Sequence, residues 1–201
     1  MKVQVYQEPI TALAEYASVP SSFEVTRVYD VGVQDGGSGE FLLSERRLDV
    51  PYVKDYDAIA GEHPTGWASR FDLSHWGLFA ARAGDRRVGG AAVAVNTPEL
   101  TMLEGRSDLA VLWDIRVSPE ARGQGVGSEL FRAAEEWARA RGCRQLKVET
   151  QNVNVPACRF YARHGCVLGA VNRGAYPELP GEVQLLWYKD LAGVGSTSRE
   201  T

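Results

Sequence analysis

Alternation of polar and apolar residues predicts several strands in the first third of the chain. Residues 2–6 and 22–31 alternate in the way that is typical of half-buried strands. A short helix is expected between them, after Thr11. Residues 34–40 contain three glycines and predict a loop. The apolar start of residues 41–48 predicts a strand that pairs back onto residues 22–31.

The pattern becomes sharper from Gly77 onward. Residues 77–83 and 88–96 are strand-like runs around Gly84-Asp85-Arg86-Arg87, which together predict a β-hairpin. Residues 110–117 are nearly all apolar, as expected of a central strand. Further strands are predicted at residues 145–150, 167–171 and 183–188.

Two helices are predicted in the second half of the chain. The first spans about residues 125–141, and its apolar side chains share one face: Val126, Leu130, Phe131, Ala134, Trp137 and Ala138. Glu135, Glu136 and Arg139 are expected on the opposite, solvent-exposed face. The second helix begins near Pro156, which suits a first helical turn, and ends at Gly165.

Composition predicts an ordinary globular protein. The chain has 201 residues, of which 44% are hydrophobic and 24% charged. We expect one domain over residues 1–192 and a flexible tail over residues 193–201. Cys143, Cys158 and Cys166 form no CxxC pair, so neither a disulfide framework nor a metal site is expected. The lack of a long apolar run or signal-peptide pattern predicts a cytoplasmic protein without a membrane partner.

Charge is unevenly divided along the chain. The formal net charge is −4, which argues against nucleic acid as a partner. Residues 120–175 hold nine basic and five acidic residues, whereas the rest holds 13 basic and 21 acidic ones. This division has two interpretations: an anionic cofactor with a cationic partner, or scatter of solvated surface charge.

The strongest local motif is Arg122-Gly123-Gln124-Gly125-Val126-Gly127, between the predicted central strand and the first long helix. Its glycines allow a tight turn and close approach of a ligand to the backbone. Free N–H groups and the helix dipole favour an anion at such a helix start. The spacing fits neither a Walker loop nor a dinucleotide fingerprint. A phosphate-binding loop is predicted, and the alternative is a glycine-rich turn that only starts a helix.

Two segments together resemble the signatures of the GNAT N-acetyltransferase superfamily. Residues 115–127, with Arg-Gly-Gln-Gly-Val-Gly after a strand, resemble its acetyl-CoA motif. Residues 149–165, with an Asn, a helix and a Tyr before a Gly, resemble its second signature. Residues 23–30, 51–56 and 149–158 are also similar to streptothricin acetyltransferases. That family often carries a Glu just before the position of Asp114, where this chain has Trp113.

The resemblance implies a GNAT fold: an α/β protein with a mixed, mostly antiparallel sheet, helices on both faces and splayed central strands. It implies acetyl-CoA as co-substrate, held by Ile115, Arg116, Val117, Arg122, Gly123, Gln124, Gly125, Val126, Gly127, Ser128 and Asn154. Backbone N–H groups around residues 115–117 would face the acetyl carbonyl and the pantetheine arm. Asn154 would bind the pantetheine and also suits a helix N-cap, and the two roles are compatible.

The resemblance also implies the catalytic groups. Tyr161 is the implied general acid, because a phenol is protonated at neutral pH and can donate to a thiolate. Its alternative role is a core aromatic residue on a helix.

Two carboxylates compete for the role of base. Glu149 matches the base of ribosomal-protein N-terminal acetyltransferases, whereas Asp114 could bind the substrate ammonium, with Trp113 as a wall of that pocket. Either acid could instead pair with Arg116 or Lys147.

Three functions stay open on the sequence alone. The first is acetyl transfer, without a metal or a covalent acyl-enzyme, from acetyl-CoA to a primary amine of a small cationic acceptor such as streptothricin. The second is acetylation of protein N-termini or lysines, and the third is a non-catalytic acyl-CoA-binding module. The acceptor, a homodimer and closure of residues 32–40 and 57–76 over the substrate are not decided by the sequence.

Overall fold

Nine strands and three α-helices form the computed structural model over its described residues, 2–192. The strands are β1 (Gln4–Glu8), β2 (Phe23–Val33), β3 (Phe41–Lys54), β4 (Trp76–Ala83), β5 (Arg86–Ala94), β6 (Leu109–Val117), β7 (Gln145–Gln151), β8 (Val167–Asn172) and β9 (Gln184–Asp190). The helices are α1 (Leu13–Tyr16), α2 (Val126–Ala140) and α3 (Val155–Arg163). Most of these elements lie close to the bounds that the sequence pattern predicts, but β3 extends to Lys54, beyond the predicted end at residue 48.

The chain divides into two compact units that alternate along the sequence. The first holds the described residues up to Pro20, residues 64–147 and the described residues from Lys189 onward. The second holds residues 21–63 and 148–188. The single domain over residues 1–192 stays a prediction, and the predicted tail over residues 193–201 lies outside the described residues.

The first unit contains four antiparallel strands in the order β1-β4-β5-β6. The predicted hairpin is confirmed as β4 and β5, with Gly84 in its turn at a φ of +59°. Side chains alternate along β4, so Leu78 joins a buried cluster with Tyr16, whereas Phe79 contacts Trp137 of α2. Apolar groups therefore cover both faces of these strands, as expected for a centrally placed sheet.

Helix α2 buries the apolar face that its periodicity predicts. The expected exposure of Glu135 is wrong, because this residue is buried. Its carboxylate forms ion pairs with Arg139, one turn later, and with Lys189 at the end of β9. A counter-charge from a distant part of the chain explains this burial, and helical periodicity carries no information about it.

The second unit contains the long antiparallel hairpin β2–β3 and three strands in the order β7-β9-β8. Strands β8 and β9 are antiparallel. Val25, Val28 and Val153 form a small buried cluster in this unit. The side chain of Asn152 donates to the Tyr29 carbonyl at 2.9 Å and accepts from the Val183 N–H at 2.8 Å.

No helix within residues 2–192 has the length and apolar content that a membrane crossing requires.

Gly90 on β5 gives the first testable prediction. A Cβ at this position would lie 2.5 Å from the Tyr16 ring and 2.9 Å from the Phe79 carbonyl oxygen. We expect Gly90→Ala to lower the free energy of unfolding by about 2 kcal/mol, because backbone and a buried ring must shift. Urea denaturation measures this change. Gly66→Ala is the control, since its Cβ would meet no atom within 4 Å, and an equal loss there would contradict the steric argument.

Candidate active site

The predicted phosphate-binding loop adopts the backbone conformation that its glycines allow. Gly123 has a φ of +73° and Gly125 a φ of +86°, both in the left-handed region. Gly125 is the N-cap of α2, so no side chain caps the first N–H groups of that helix. A Cβ on either glycine would meet no atom within 4 Å, which leaves open space over the loop. Val126, Gly127 and Ser128 form the first turn of α2, and the side chain of Val126 is buried.

Two side chains of this loop donate hydrogen bonds to nearby backbone carbonyls. Arg122 Nε donates to the Val117 carbonyl at 3.0 Å, and Gln124 Nε2 donates to the Glu120 carbonyl at 2.7 Å. Arg122 therefore ties the loop to the end of β6. The loop geometry suits an anion, and contact of its residues with a cofactor stays a prediction.

Strand β6 carries a bulge at Trp113. Its register with β5 shifts between the pairs Val93–Leu112 and Ala92–Asp114, so Trp113 has no partner on β5. Ile115, Arg116 and Val117 pair regularly with Ala91, Gly90 and Gly89. Splaying at residues 115–117, with backbone donors for an acetyl group, stays a prediction.

The Trp113 side chain packs among aromatic residues of the first unit. Its ring centroid lies 5.3 Å from Phe71, 5.8 Å from Trp76 and 6.3 Å from Trp67. Edge-to-face contacts of this kind stabilise a buried aromatic cluster. Core packing thus accounts for Trp113, and its role as the wall of a substrate pocket stays a prediction.

Asp114 is paired with Arg116, which is the alternative that the sequence offered. Arg116 donates to Asp114 Oδ2 from Nε at 2.7 Å and approaches it with Nη2 at 2.5 Å. The Arg116 side chain is only 3% exposed, and its Nη1 also donates to the Val19 carbonyl at 3.0 Å. The negative charge of Asp114 is therefore compensated within a buried ion pair.

The ring of Tyr16 packs against the Arg116 member of this ion pair. Sequence reasoning did not identify Tyr16. The Arg116 guanidinium lies over the Tyr16 ring, 5.0 Å from its centroid. Complete burial, followed by the charge of Asp114, raises the pKa of Tyr16 well above its usual range. No sequence motif connects residue 16 with residues 114 and 116.

Glu149 has a different set of partners, all of them neutral. Oε1 accepts from the Tyr176 hydroxyl at 2.5 Å and from Gln151 Nε2 at 3.3 Å. Oε2 accepts from Gln184 Nε2 at 2.6 Å. Lys147, the suggested ion-pair partner of either acid, instead pairs with Glu104 at 2.7 Å. Hydrogen-bond donors rather than a counter-charge thus hold the Glu149 carboxylate.

Two tyrosines extend this group of polar side chains, and sequence reasoning missed both. Tyr176 lies between β8 and β9, and Tyr56 follows β3. Tyr56 donates to Gln151 Oε1 at 2.5 Å. Burial raises the pKa of both phenols well above the usual range, and for Tyr176 the charge of Glu149 adds to this effect. Neither tyrosine stands in a recognisable motif, so only the folded chain reveals them.

Helix α3 carries the remaining predicted residues. Asn154 is its N-cap and accepts from the Ala157 N–H at 3.1 Å, while its Nδ2 donates to the Tyr56 hydroxyl at 3.4 Å. Tyr161 is 4% exposed, with its ring edge-on to Phe160 at 5.2 Å. This burial is compatible with a core role and with a proton donor in a water-poor site. The acid role of Tyr161 stays a prediction.

The three cysteines are buried and form no disulfide, as expected of small apolar residues. Burial raises the pKa of the Cys158 thiol to about 11, so it is protonated at neutral pH. In the part of the chain that the structure describes, no three His, Cys, Asp or Glu side chains are grouped as metal ligands would be.

Comparison with known sequences gives a family and a close relative. The family model described as "Acetyltransferase (GNAT) family" matches residues 45–166. Streptothricin acetyltransferase of Escherichia coli is 32% identical over 191 residues, which cover 94% of this chain and 95% of that protein. The similarity therefore extends over nearly the whole of both proteins.

Solved structures give the same result for the fold. The crystal structure of nourseothricin acetyltransferase matches with a TM-score of 0.74 and 26% identity, covering 95% of this chain and 99% of that one. A Bacillus anthracis protein solved in complex with acetyl coenzyme A matches with a TM-score of 0.73 and 21% identity, covering 94% of this chain and 99% of that one. The predicted mixed, mostly antiparallel α/β fold is confirmed.

The buried pair of Asp114 and Arg116 gives the second prediction. We expect Asp114→Asn to lower the free energy of unfolding by about 3 kcal/mol, because the buried guanidinium loses its counter-charge. Urea denaturation at neutral pH measures the loss. Asp30→Asn is the matched control, since Asp30 pairs with Arg46 where both side chains are 55% exposed, and little change is expected there. Equal losses in the two variants would contradict the argument from burial.

Proposed function

Because the chain belongs to the acetyltransferase (GNAT) family and uses acetyl-CoA, we propose that it acetylates a primary amine of a small cationic acceptor of the streptothricin kind. The observation that carries this proposal is the Glu149 carboxylate, whose partners are a phenol and two amides. A negative charge held by neutral donors attracts an ammonium group without first having to release a cation. Asp114 differs, because its charge is compensated by Arg116.

The loop before α2 fits the anionic part of acetyl-CoA. Its two left-handed glycines leave room above the backbone, and the uncapped N–H groups of α2 would bind phosphate oxygens. The side chains of Arg122 and Gln124 stabilise the loop by donating hydrogen bonds to backbone carbonyls. Within this assignment Asn154 caps α3 and presents its amide for the pantetheine arm.

The proposed chemistry needs two proton-transfer groups, both on residues of the second unit. Acetyl-CoA supplies an acetyl group that is activated as a thioester. Glu149 accepts a proton from the acceptor ammonium and so leaves a neutral amine that can form the new C–N bond. As the amine nitrogen bonds to the carbonyl carbon, the C–S bond breaks and Tyr161 donates its hydroxyl proton to the departing thiolate sulfur. The resulting phenolate takes up the second proton that the nitrogen loses, which leaves a neutral amide and restores the phenol. Transfer is direct within a ternary complex, and Cys158, with its raised pKa, takes no covalent part.

The choice of acceptor class rests on the relatives and on charge. Proteins named streptothricin acetyltransferase match this chain at 32% and 29% identity, over 94% and 85% of its length. Against this stands Trp113, at a position where the streptothricin acetyltransferases often carry a Glu. Glu149 is the acid that we assign to the acceptor amine, as binding group and base together.

An amine panel tests the proposed function. We expect free CoA release from acetyl-CoA with streptothricin, and little with an N-terminal peptide or a lysine peptide. Faster release with a peptide would favour a protein acetyltransferase. Tight acetyl-CoA binding without release on any amine would contradict the enzymatic proposal and favour a binding module.

Two variants test the residue roles on the preferred amine. Tyr161→Phe and Glu149→Gln should each lower kcat about 100-fold, since each removes one proton-transfer group. Tyr6→Phe and Glu24→Gln are the matched controls on exposed strand positions and should keep the wild-type rate. An undiminished rate in Tyr161→Phe or Glu149→Gln would overturn the corresponding role.

Gly125→Ala tests the phosphate-binding loop separately. The left-handed backbone strains any residue with a Cβ by about 1–2 kcal/mol, so the loop relaxes and its N–H groups turn away. We expect the Kd for acetyl-CoA, measured by calorimetry, to rise about tenfold. Gly84→Ala is the matched control, because Gly84 has a φ of +59° and equally open space in the β4–β5 turn. Equal Kd values for the two variants would contradict this site.

A further inference from the structure

The side chains around Glu149 form a chain of hydrogen bonds with a fixed direction. Glu149 and Gln151 lie two residues apart on β7, so they share one face of the strand. Tyr56 donates to Gln151 Oε1 at 2.5 Å, and Gln151 Nε2 donates to the Tyr176 hydroxyl at 2.9 Å. Tyr176 in turn donates to Glu149 Oε1 at 2.5 Å. Each member thus determines which way the next one donates.

The direction follows from what each group is able to donate. An ionised carboxylate only accepts hydrogen bonds, so Tyr176 must give its single proton to Glu149. Its oxygen then accepts from an N–H of Gln151, which places Oε1 of that amide toward Tyr56. A flipped amide would present its N–H₂ group to Tyr56 and its oxygen to Tyr176, and the Tyr176 oxygen would lose its donor. Glu149 and Tyr176 therefore fix the orientation of Gln151, and Tyr56 donates to the amide oxygen that this orientation presents.

The segment that carries Tyr176 is anchored at several points. The Leu179 N–H donates to the Tyr176 carbonyl at 2.9 Å. Three residues later, Glu182 forms an ion pair with Lys54 of β3 at 2.5 Å, and both side chains are only 11% exposed. The Val183 N–H binds the Asn152 side chain at 2.8 Å. Tyr176 is thus held against Glu149 by contacts of the residues that follow it along the chain.

Counting acceptor positions shows what remains for a ligand. A carboxylate offers about four acceptor positions, two on each oxygen. Tyr176 and Gln151 take both positions on Oε1, and Gln184 takes one on Oε2. The open position is the second one on Oε2.

We propose that Tyr176 is a positioning residue that acts through Glu149, and that Tyr56 supports this arrangement through its hydrogen bond to the Gln151 amide. The arrangement leaves Oε2 of the carboxylate for one N–H of the acceptor ammonium. This inference rests on the proposed function for the ammonium, whereas the effect of Tyr176 on the Glu149 carboxylate does not.

The other titratable groups around this chain of hydrogen bonds do not compete with Tyr176. Burial keeps Tyr56 protonated through its raised pKa, and it likewise raises the pKa of Cys158 on α3 to about 11. Glu182 is paired with Lys54. Asn154, Gln151 and Gln184 do not titrate. The proton of Tyr176 is therefore the titratable donor that bears directly on Glu149.

A titration of the Glu149 carboxyl carbon tests this by ¹³C NMR, with Glu149→Gln used to identify the signal. In Tyr176→Phe the midpoint should rise by about one pH unit, since a carboxylate that loses a donor binds its proton more readily. A smaller rise is expected in Tyr56→Phe. Tyr6→Phe, at an exposed position of β1, is the control and should not move the midpoint. An unchanged midpoint in Tyr176→Phe overturns the positioning role, and one in Tyr56→Phe overturns the part assigned to Tyr56.

Kinetics on an amine that the wild type acetylates give the second readout. Tyr176→Phe should lower kcat/KM about tenfold and move the acidic limb of its pH profile upward, whereas a merely structural role would lower the rate without moving that limb. An unmoved limb contradicts the proposal. Absence of turnover by the wild type on every amine would overturn the proposed function, and the NMR titration would still decide the role of Tyr176.

Discussion

A carboxylate that is withdrawn from water must be stabilised either by a counter-charge or by oriented dipoles, and this chain uses both solutions. Asp114 has the first, in the form of Arg116. Glu149 has the second, in the form of a phenol and two amides. The two solutions have different chemical consequences, because a paired carboxylate is already neutralised, whereas one held by dipoles keeps its charge for a ligand. Our proposal of Glu149 as the base rests on this difference.

The local parts of the fold could be predicted because their causes are local. The β4–β5 hairpin follows from two apolar runs around a glycine turn, and the loop at Gly125 follows from the left-handed φ that its helix start requires. Burial of the α2 face follows from helical periodicity. Asn154 could be predicted as an N-cap, since an Asn before a Pro-containing first turn suits that position.

What could not be predicted depends on partners that are distant in sequence. Tyr176 reaches Glu149 across 27 residues, and Tyr56 reaches Gln151 across 95 residues. Glu135 is buried because Lys189 meets it, which helical periodicity cannot show. For the same reason, the net charge of a sequence segment does not predict the charge that this segment offers to a ligand. Arg159 and Lys147, in the basic stretch, pair with Glu45 and Glu104 from outside it, so the count overstates the charge that remains for a ligand.

The bulge at Trp113 bears on how the chain would recognise a cation. A bulged residue leaves the alternation of its strand, and here the side chain joins the aromatic rings of Phe71 and Trp76. The Arg70 guanidinium lies 4.9 Å from the Phe71 ring and 6.0 Å from the Trp113 ring, so a cation already occupies that aromatic surface. Position 113 therefore offers no carboxylate to a cationic ligand, and the charge of Asp114 is compensated by Arg116. In the proposed function, attraction of an ammonium then depends on Glu149, and the geometry of its hydrogen-bond donors would determine both binding and proton transfer.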